Sequence, residues 1–459
     1  MSANIRNPLE NSVGPRISPH TPAQSTGPKG RSPLGAIFFT IFVDMLGFGI
    51  LLPVFPLLIN PKSPYRITPS GWSFKESLIM LGWLQAIFPF CIFLASPILG
   101  QLSDRYGRKP VLAFSIGGTA VGYALFAVGI ATKNLPLLFA ARALDGLTGG
   151  NIAVAQASIG DISTNENRAK NFGLIGAAFG LGFIIGPYLG GRLSSPNTSF
   201  YGLFHTPSWF GATTPFWFAT ALSALNCVQI LALLPETLKE KVRGGKLHLG
   251  QSFTNVVEGF KSKRLRTPLA AAFFFNCGFT FFTSFFGIYA ARKFGFTPSK
   301  TGDFFAIVGL FIAFSQAVLV GKFAKKFADE KILRLSMFGQ AGVMVVYLLA
   351  NSTLPIYLII PVFTLFNGLT IANITSLISR SAEPGKQGAA MGISSGVQSL
   401  AQVPASALIG YITGSGTGAK TPLLFAAITI GLGGVVFNLF HKPIGESQPW
   451  GSAAVPVSH

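Results

Sequence analysis

The feature that most constrains this chain is a series of apolar stretches separated by short charged connectors. A helix needs about 20 apolar residues to cross a bilayer. Twelve stretches of that length lie at 34–58, 77–101, 110–131, 135–160, 170–192, 214–235, 268–291, 302–322, 332–351, 354–378, 386–413 and 421–440. The stretch at 386–413 is rich in Ser, Gly and Gln, which suits a helix that faces a polar cavity. The pattern predicts an all-α membrane protein with twelve transmembrane helices.

Composition supports this fold class. Of the 459 residues, 49% are hydrophobic and only 11% are charged, whereas a soluble domain has about 25% charged residues. The net charge of +20 lies in short clusters between apolar stretches, which is typical of a polytopic membrane protein. We therefore expect the lipid bilayer as a partner and no nucleic acid. The three cysteines and five histidines show no metal-ligand spacing, so we expect no metal site.

The distribution of positive charge predicts the topology. Connectors after the even-numbered stretches carry most of the Lys and Arg residues, and such loops face the cytoplasm. Both termini are therefore predicted to be cytoplasmic. A plasma-membrane location is favoured, and a vacuolar one stays open. The sequon at Asn197 follows the fifth stretch on the predicted outer side, where it would be a glycosylation site.

A long connector divides the stretches into six and six. The predicted regions are a disordered cytoplasmic tail, an N-terminal six-helix bundle, a cytoplasmic linker, a C-terminal six-helix bundle and a second cytoplasmic tail, at 1–33, 34–235, 236–267, 268–441 and 442–459. Within the linker, Val256, Val257 and Phe260 beside Lys261 predict an amphipathic helix on the inner leaflet. Two six-helix halves are typical of transporters built from repeats.

The segment GQLSDRYGRKPVL, residues 100–112, places a dense charge cluster between the second and third stretches. Asp104 can pair with Arg108 or with a charge on a neighbouring helix. Two interpretations stay open, a basic loop that fixes topology and a gating cluster that forms and breaks. The predicted gating residues are Gly100, Asp104, Arg105, Gly107, Arg108 and Asp161.

The fifth stretch contains regularly spaced small residues. These are Gly173, Gly182, Gly186, Pro187, Gly190 and Gly191. Glycines at such intervals let another helix approach closely, and a proline inside a helix removes a backbone donor and bends it. Ordinary small-residue packing is the alternative to a specific role in transport.

The clearest charged residues inside the apolar stretches are Asp44, Arg142 and Asp145, and charge at such depth is costly and usually functional. Asp44 and Asp145 are each about ten residues into their stretches, or about 15 Å deep at 1.5 Å per residue. Arg142 lies three residues before Asp145, on the same helix face. The three residues are predicted to couple transport to protons. A permanent structural ion pair is the alternative.

These motifs resemble those of the major facilitator superfamily. The pattern G-x-L-x-D-R-x-G-R-K-x-x-L is similar to its signature between helices 2 and 3, and the glycine pattern with Pro187 is similar to its antiporter motif. FVDMLGFGILLPVFP at 42–56 and LPETL at 234–238 are similar to segments of its drug:proton antiporter family with twelve helices, in the tetracycline-exporter-like branch. The resemblance implies alternating access between two bundles, a small-molecule substrate, proton exchange without a cofactor, and a monomer.

The resemblance also assigns roles to single residues. Asp44 matches an Asp of the family's helix 1 and Arg142 an Arg of its helix 4, whereas the position of Asp145 is usually neutral. Bacterial tetracycline exporters have a His and an Asp where this chain has Ile312 and Gln340, so tetracycline is not the expected substrate.

Polar residues in the stretches are candidate substrate contacts. The family's helices 1, 4, 7 and 10 line the central cavity, which favours polar residues on those helices. The predicted contacts are Asn151, Gln156, Asn276, Asn367 and Asn373. Hydrogen bonding between helices is the alternative role for each of them.

The expected function is secondary active transport, as proton-coupled export of a small organic compound, drug or metabolite. An organic-acid or other metabolite carrier is the alternative within transport. A transporter-like receptor or scaffold without flux is the alternative from another class. The sequence has no arrangement of a nucleophile and a base and no nucleotide-binding loop, so neither an enzyme nor an ATP-driven pump is expected.

Overall fold

Long apolar helices account for most of the structure, a computed structural model. It describes residues 33–164, 167–200, 204–238, 241, 250–382, 387–413 and 420–441. The predicted tails, except for Pro33, and part of the predicted linker therefore lie outside the described residues.

Seven helices and a short hairpin form the first half. They are α1 (Pro33–Ile59), α2 (Phe74–Tyr106), α3 (Arg108–Ala131), α4 (Leu135–Thr148), α5 (Asn151–Ile162), α6 (Arg168–Leu193), β1 (Ser199–Phe200), β2 (Phe204–His205) and α7 (Thr214–Leu233). The two strands pair antiparallel, with Ser199 opposite His205. Helix α2 begins with a capping box, in which the Glu76 amide donates to Ser73 Oγ and the Ser73 amide donates to Glu76 Oε2.

A linker helix and the second half follow. They comprise α8 (Gln251–Lys261), α9 (Arg266–Phe294), α10 (Pro298–Phe314), α11 (Gly321–Ala324), α12 (Asp329–Leu349), α13 (Thr353–Leu358), α14 (Ile360–Ser381), α15 (Gln387–Thr413) and α16 (Thr421–Phe440). A π-helical turn, Ser315–Val320, joins α10 to α11.

The helical membrane fold agrees with the prediction, and ten of the twelve expected spans satisfy both length and apolar character. Among the described residues, ten helical segments are long and apolar enough to cross a bilayer. The fourth predicted stretch is divided between α4 and α5. The eleventh corresponds to α15, which is long enough to span but rich in Ser, Gly and Gln and is not among the ten. A count of twelve depends on these two.

The break between α4 and α5 was not predicted from the sequence. A Cβ atom on Gly150 would lie 2.8 Å from Leu99 Cδ1 and 3.0 Å from the Cα of Ser96, both in α2. The chain therefore passes α2 at a distance that only glycine permits. The break makes Asn151 the first residue of α5.

Direct polar contacts join the two halves at one end of the helices. We call the end where α2 meets α3 the basic face and the opposite end the far face. At the far face, Trp83 Nε1 donates to the Tyr411 hydroxyl at 3.3 Å. Arg192 Nη2 in α6 donates to both carboxylate oxygens of Asp303 in α10, at 2.9 and 3.0 Å. The far face is therefore joined by direct polar contacts between the halves.

Candidate functional site

Arg142 and Asp145 form a buried ion pair on α4. Arg142 Nη1 lies 2.9 Å from Asp145 Oδ2, and the two residues are only 5% and 4% exposed. The guanidinium carbon is 4.0 Å from the ring centroid of Phe88 in α2, a cation–π contact. Removing one member of such a pair leaves the other as a buried, uncompensated charge.

Asp44 of α1 is the third charge of this group. Its carboxylate interacts electrostatically with Asp145 and is adjacent to the Asn151 side chain. Nevertheless, Asp44 Oδ2 and Asn151 Nδ2 are both buried without a hydrogen-bond partner among the described residues. A buried carboxylate in this situation is stable only if it binds a proton or gains a donor or a cation. We call Asp44, Arg142 and Asp145 the charged trio.

Tyr123 of α3 completes the surroundings of the charged trio. Its hydroxyl lies against Gly47 of α1, where a Cβ atom would overlap it, and Gly47 is one helical turn from Asp44. The preceding Gly122 packs on Asp145, since its Cβ would lie 3.0 Å from that of Asp145. Tyr123 therefore reaches from beside one carboxylate toward the other. This role of Tyr123 was not predictable from the sequence, because a tyrosine inside an apolar stretch is common.

The predicted substrate contacts lie on α5, α9 and α14. Asn151 lies with the charged trio, and Gln156 is half-buried on α5. The side-chain amides of Asn276 and Asn373 donate to carbonyls of their own helices, at 2.8 Å to Ala272 and 2.7 Å to Leu369. This geometry occupies one donor of each amide in its own helix.

Asn367 belongs to α14, which packs beside α12. The two helices are held together by a hydrogen bond from Thr370 to Ser336 of 2.8 Å. One turn away on each helix, Asn367 and Gln340 are 0% exposed, and neither side-chain amide has a partner among the described residues. Gln340, noted from the sequence only as a departure from tetracycline exporters, thus belongs to a second buried polar region.

The predicted gating residues surround Arg108 at the basic face. Arg108 is 2.6 Å from Asp104 and 2.9 Å from Asp161, which links α2, α3 and α5. Arg105 is half-buried at the end of α2. A Cβ on Gly100 would meet nothing within 4 Å. These two ion pairs lie within the first half.

Glu236, which follows α7, was not among the predicted site residues. Its carboxylate accepts from the Arg108 amide at 2.8 Å and from the Lys109 amide at 3.3 Å, so it caps the N-terminus of α3. Gly107 has a φ of 113°, and a Cβ there would collide with the Glu236 carboxylate. The LPETL segment thereby fixes the turn that the charged loop makes.

Glycines of the antiporter-like motif seat α6 against α1. Cβ atoms on Gly182, Gly186 and Gly190 would each lie 2.5 Å from an atom of α1, namely Met45 Cβ, Leu46 O and Ile50 O. Pro187 lies against Gly49 of α1 and Gly302 of α10, and Gly191 also faces α10. In contrast, a Cβ on Gly173 would meet nothing within 4 Å.

Gly186→Val is expected to destabilise the protein by about 1–3 kcal/mol, because the added side chain overpacks the contact between α6 and α1. Thermal unfolding in detergent measures this effect. Gly173→Val is the matched control, since it has the same change in helix propensity without the collision. Equal melting temperatures for the two variants would contradict the packing role of Gly186.

Comparison with known families decides the identity of this arrangement. The sequence model of the Major Facilitator Superfamily matches residues 37–406. The chain belongs to the major facilitator superfamily. This superfamily consists of membrane transporters and not enzymes, so the predictions of family, fold and non-enzymatic function are confirmed.

Sequence relatives in this superfamily include resistance proteins of bacteria. The chain is 30% identical to the class H tetracycline resistance protein of Pasteurella multocida over 66% of its length and 69% of the relative's. It is 29% identical to the class C tetracycline resistance protein of Escherichia coli, over 82% of this chain and 88% of the relative. It is 27% identical to the quinolone resistance protein NorA of Staphylococcus aureus, over 88% of this chain and 95% of the relative.

Solved structures show the same fold at lower identity. A bacterial homologue of the human lysosomal transporter Spinster, inward-facing and occupied, has a TM-score of 0.72 at 13% identity, covering 90% of this chain and 97% of its own. The human organic anion transporter MFSD10 (TETRAN) has a TM-score of 0.64 at 18% identity, covering 88% and 98%. The match to the superfamily's sequence model makes this protein a multi-pass membrane transporter of small molecules, and transporters of this kind need no cofactor.

Proposed function

We propose that this transporter exports a small organic compound in exchange for protons, with Asp44 as the residue at which the two compete. The observation that carries the proposal is the unpartnered, buried Asp44 Oδ2 beside the buried pair of Arg142 and Asp145. Binding of a proton or of a cationic group at Asp44 removes the same cost of burying charge. If both compete for one carboxylate, uptake of one favours release of the other.

The composition of the charged trio favours a proton or a cationic compound over an organic acid. Two carboxylates and one guanidinium leave one formal negative charge, and Arg142 is already paired with Asp145. An anionic substrate would be opposed by this net negative charge, although Arg142 Nε has no partner among the described residues and could donate to it. The organic-acid carrier is therefore the less favoured alternative.

The relatives suggest a class of compound. Their names refer to resistance to tetracycline and to quinolones, which are polycyclic or bicyclic compounds with polar groups. We propose an amphipathic aromatic substrate. Because Ile312 and Gln340 stand at the positions where tetracycline exporters have ionisable residues, we expect it to differ from tetracycline.

Proteoliposomes with an acidic lumen and a trapped pH dye test the exchange. Norfloxacin, ethidium and tetracycline are added outside in turn. An exchanged compound accumulates, and the lumen becomes more alkaline as protons leave. Compound uptake that is independent of the pH gradient would contradict the proposal. A compound that binds without any flux would favour the receptor alternative.

We further propose that the basic face is cytoplasmic, that both termini lie there, and that the protein acts as a monomer in the plasma membrane. Asn197 is exposed at the far face. Its backbone N–H donates to the Thr206 carbonyl oxygen at 3.1 Å. In a eukaryotic host, peptide N-glycosidase is expected to increase the gel mobility of the wild type and not of Asn197→Gln. A wild type whose mobility is unchanged would contradict glycosylation at this site.

A further inference from the structure

The linker helix α8 is attached to α2 by an unusual hydrogen bond. Ser252 Oγ donates to the Phe93 carbonyl oxygen at 2.6 Å, and Ser252 is 4% exposed. In a regular helix that carbonyl accepts from the amide four residues later. Here that residue is Pro97, which has no N–H group. The linker hydroxyl therefore supplies the donor that proline removes.

Further contacts attach α8 to both halves of the transporter. Gln101 Nε2 of α2 donates to Gln251 Oε1 at 2.7 Å, and the rings of Phe93 and Phe253 meet edge to face at 5.0 Å. In the second half, a Cβ on Gly259 would lie 2.6 Å from Ile393 Cγ2 of α15 and 2.9 Å from Leu269 Cδ1 of α9. The approach to α15 and α9 is as close as a glycine allows.

Helix α8 contacts both α2 and α15 on the side toward the basic face. From the far face inward, α2 and α15 contact each other at Ile79 with Gly410, and again at Phe93 with Gly396. At that second point Val256 of α8 also reaches Gly396, with its Cγ2 at 3.6 Å from a Cβ built there. Nearer the basic face, Gln101 of α2 and Ile393 of α15 both contact α8.

We propose that α8 is a brace that holds the basic face open, and that the bond from Ser252 to the carbonyl freed by Pro97 keeps it in place. The halves are joined at the far face. Closing the basic face therefore requires the ends of α2 and α15 nearest the basic face to approach each other. Helix α8 occupies the space between them and must leave for that closure. The proposal is independent of which compound is carried and of whether protons drive it.

Distances between spin labels test the brace in full-length protein in nanodiscs, with Cys91, Cys227 and Cys277 replaced. One pair of labels, at Tyr106 and Phe327, reports the basic face, and a second pair, at Trp209 and Leu354, reports the far face. All four positions are exposed. Ser252→Ala is expected to raise the ratio of basic-face-closed to basic-face-open protein about tenfold, as the loss of a buried hydrogen bond predicts.

Pro97→Ala supplies the decisive comparison, because it restores the amide that can satisfy the Phe93 carbonyl within α2. In that background Ser252→Ala is expected to leave the ratio unchanged. Thr254→Ala is the matched control, since Thr254 is exposed and its hydroxyl donates to the Gly250 carbonyl of its own segment. Ser252→Thr, which keeps the hydroxyl, is expected to resemble the wild type. An unchanged ratio in Ser252→Ala would overturn the proposal. The same change in ratio caused by Ser252→Ala in the wild type and in Pro97→Ala would also overturn it.

Discussion

Asp44→Asn is expected to abolish proton-driven accumulation of the compound, reducing it to the level of liposomes without protein. The substitution keeps the size of the side chain and removes its ability to bind and release a proton. Asp44 Oδ2 is buried and unpartnered among the described residues, so a neutral amide is tolerated there without breaking an ion pair. Uptake into proteoliposomes with an acidic lumen is the measurement.

Asp329→Asn provides the matched control for Asp44→Asn. Asp329 also lies on a membrane helix but bonds to Ser376 at 2.6 Å and to Arg380 at 3.2 Å at the basic face, away from the charged trio. This variant should retain gradient-driven accumulation. If Asp44→Asn also retains it in full, Asp44 has no part in coupling, and the proposed exchange site must be sought elsewhere.

Arg142→Met is expected to cause the largest loss of stability, about 3–5 kcal/mol, because it leaves Asp145 buried and uncompensated. Both residues are at most 5% exposed, so water cannot replace the lost partner. The double variant Arg142→Met with Asp145→Asn removes the orphaned charge and should recover most of the loss. Thermal unfolding in detergent, followed by tryptophan fluorescence, measures both.

Arg380→Met shows what a pair at the surface contributes. Its side chain is 65% exposed and lies 3.2 Å from Asp329, so its removal should cost at most about 1 kcal/mol. Should Arg142→Met and the double variant unfold at the same temperature, the buried pair would not be a charge-compensating unit.

Helix positions were predictable because an apolar run that crosses a bilayer must satisfy its own backbone hydrogen bonds, which a helix does. The break at Gly149 and Gly150 was not predictable, since it depends on the approach of Leu99 and Ser96 from another helix. The π-helical turn at Ser315–Val320 likewise leaves no local signal in an apolar run. Hydropathy reports burial in lipid and is insensitive to such backbone irregularities.

The candidate site was predictable only where its contacts are local. Arg142 and Asp145 are three residues apart on one helix, so their pairing follows from helix geometry. Glu236 lies 128 residues from Arg108, and Tyr123 meets Gly47 across two helices. Such partners are determined by packing, which no periodicity in one segment specifies.

The directions of the polar candidate side chains were not predictable from the sequence. All five predicted contacts are polar residues in apolar stretches, but the direction of each side chain depends on its helix's neighbours. Asn367 lies one turn from Thr370, which bonds to Ser336 of α12, whereas Asn151 lies beside Asp44. The break before α5 places Asn151 there, and the sequence did not reveal that break.

Proton release on compound binding tests the central claim most directly. Purified protein in weakly buffered detergent solution with a pH indicator is titrated with a compound that it exchanges, such as ethidium or norfloxacin. The wild type is expected to acidify the solution as the compound displaces a proton from Asp44, whereas Asp44→Asn should release none. Saturable binding by the wild type without acidification, or equal acidification by Asp44→Asn, would contradict exchange at this carboxylate.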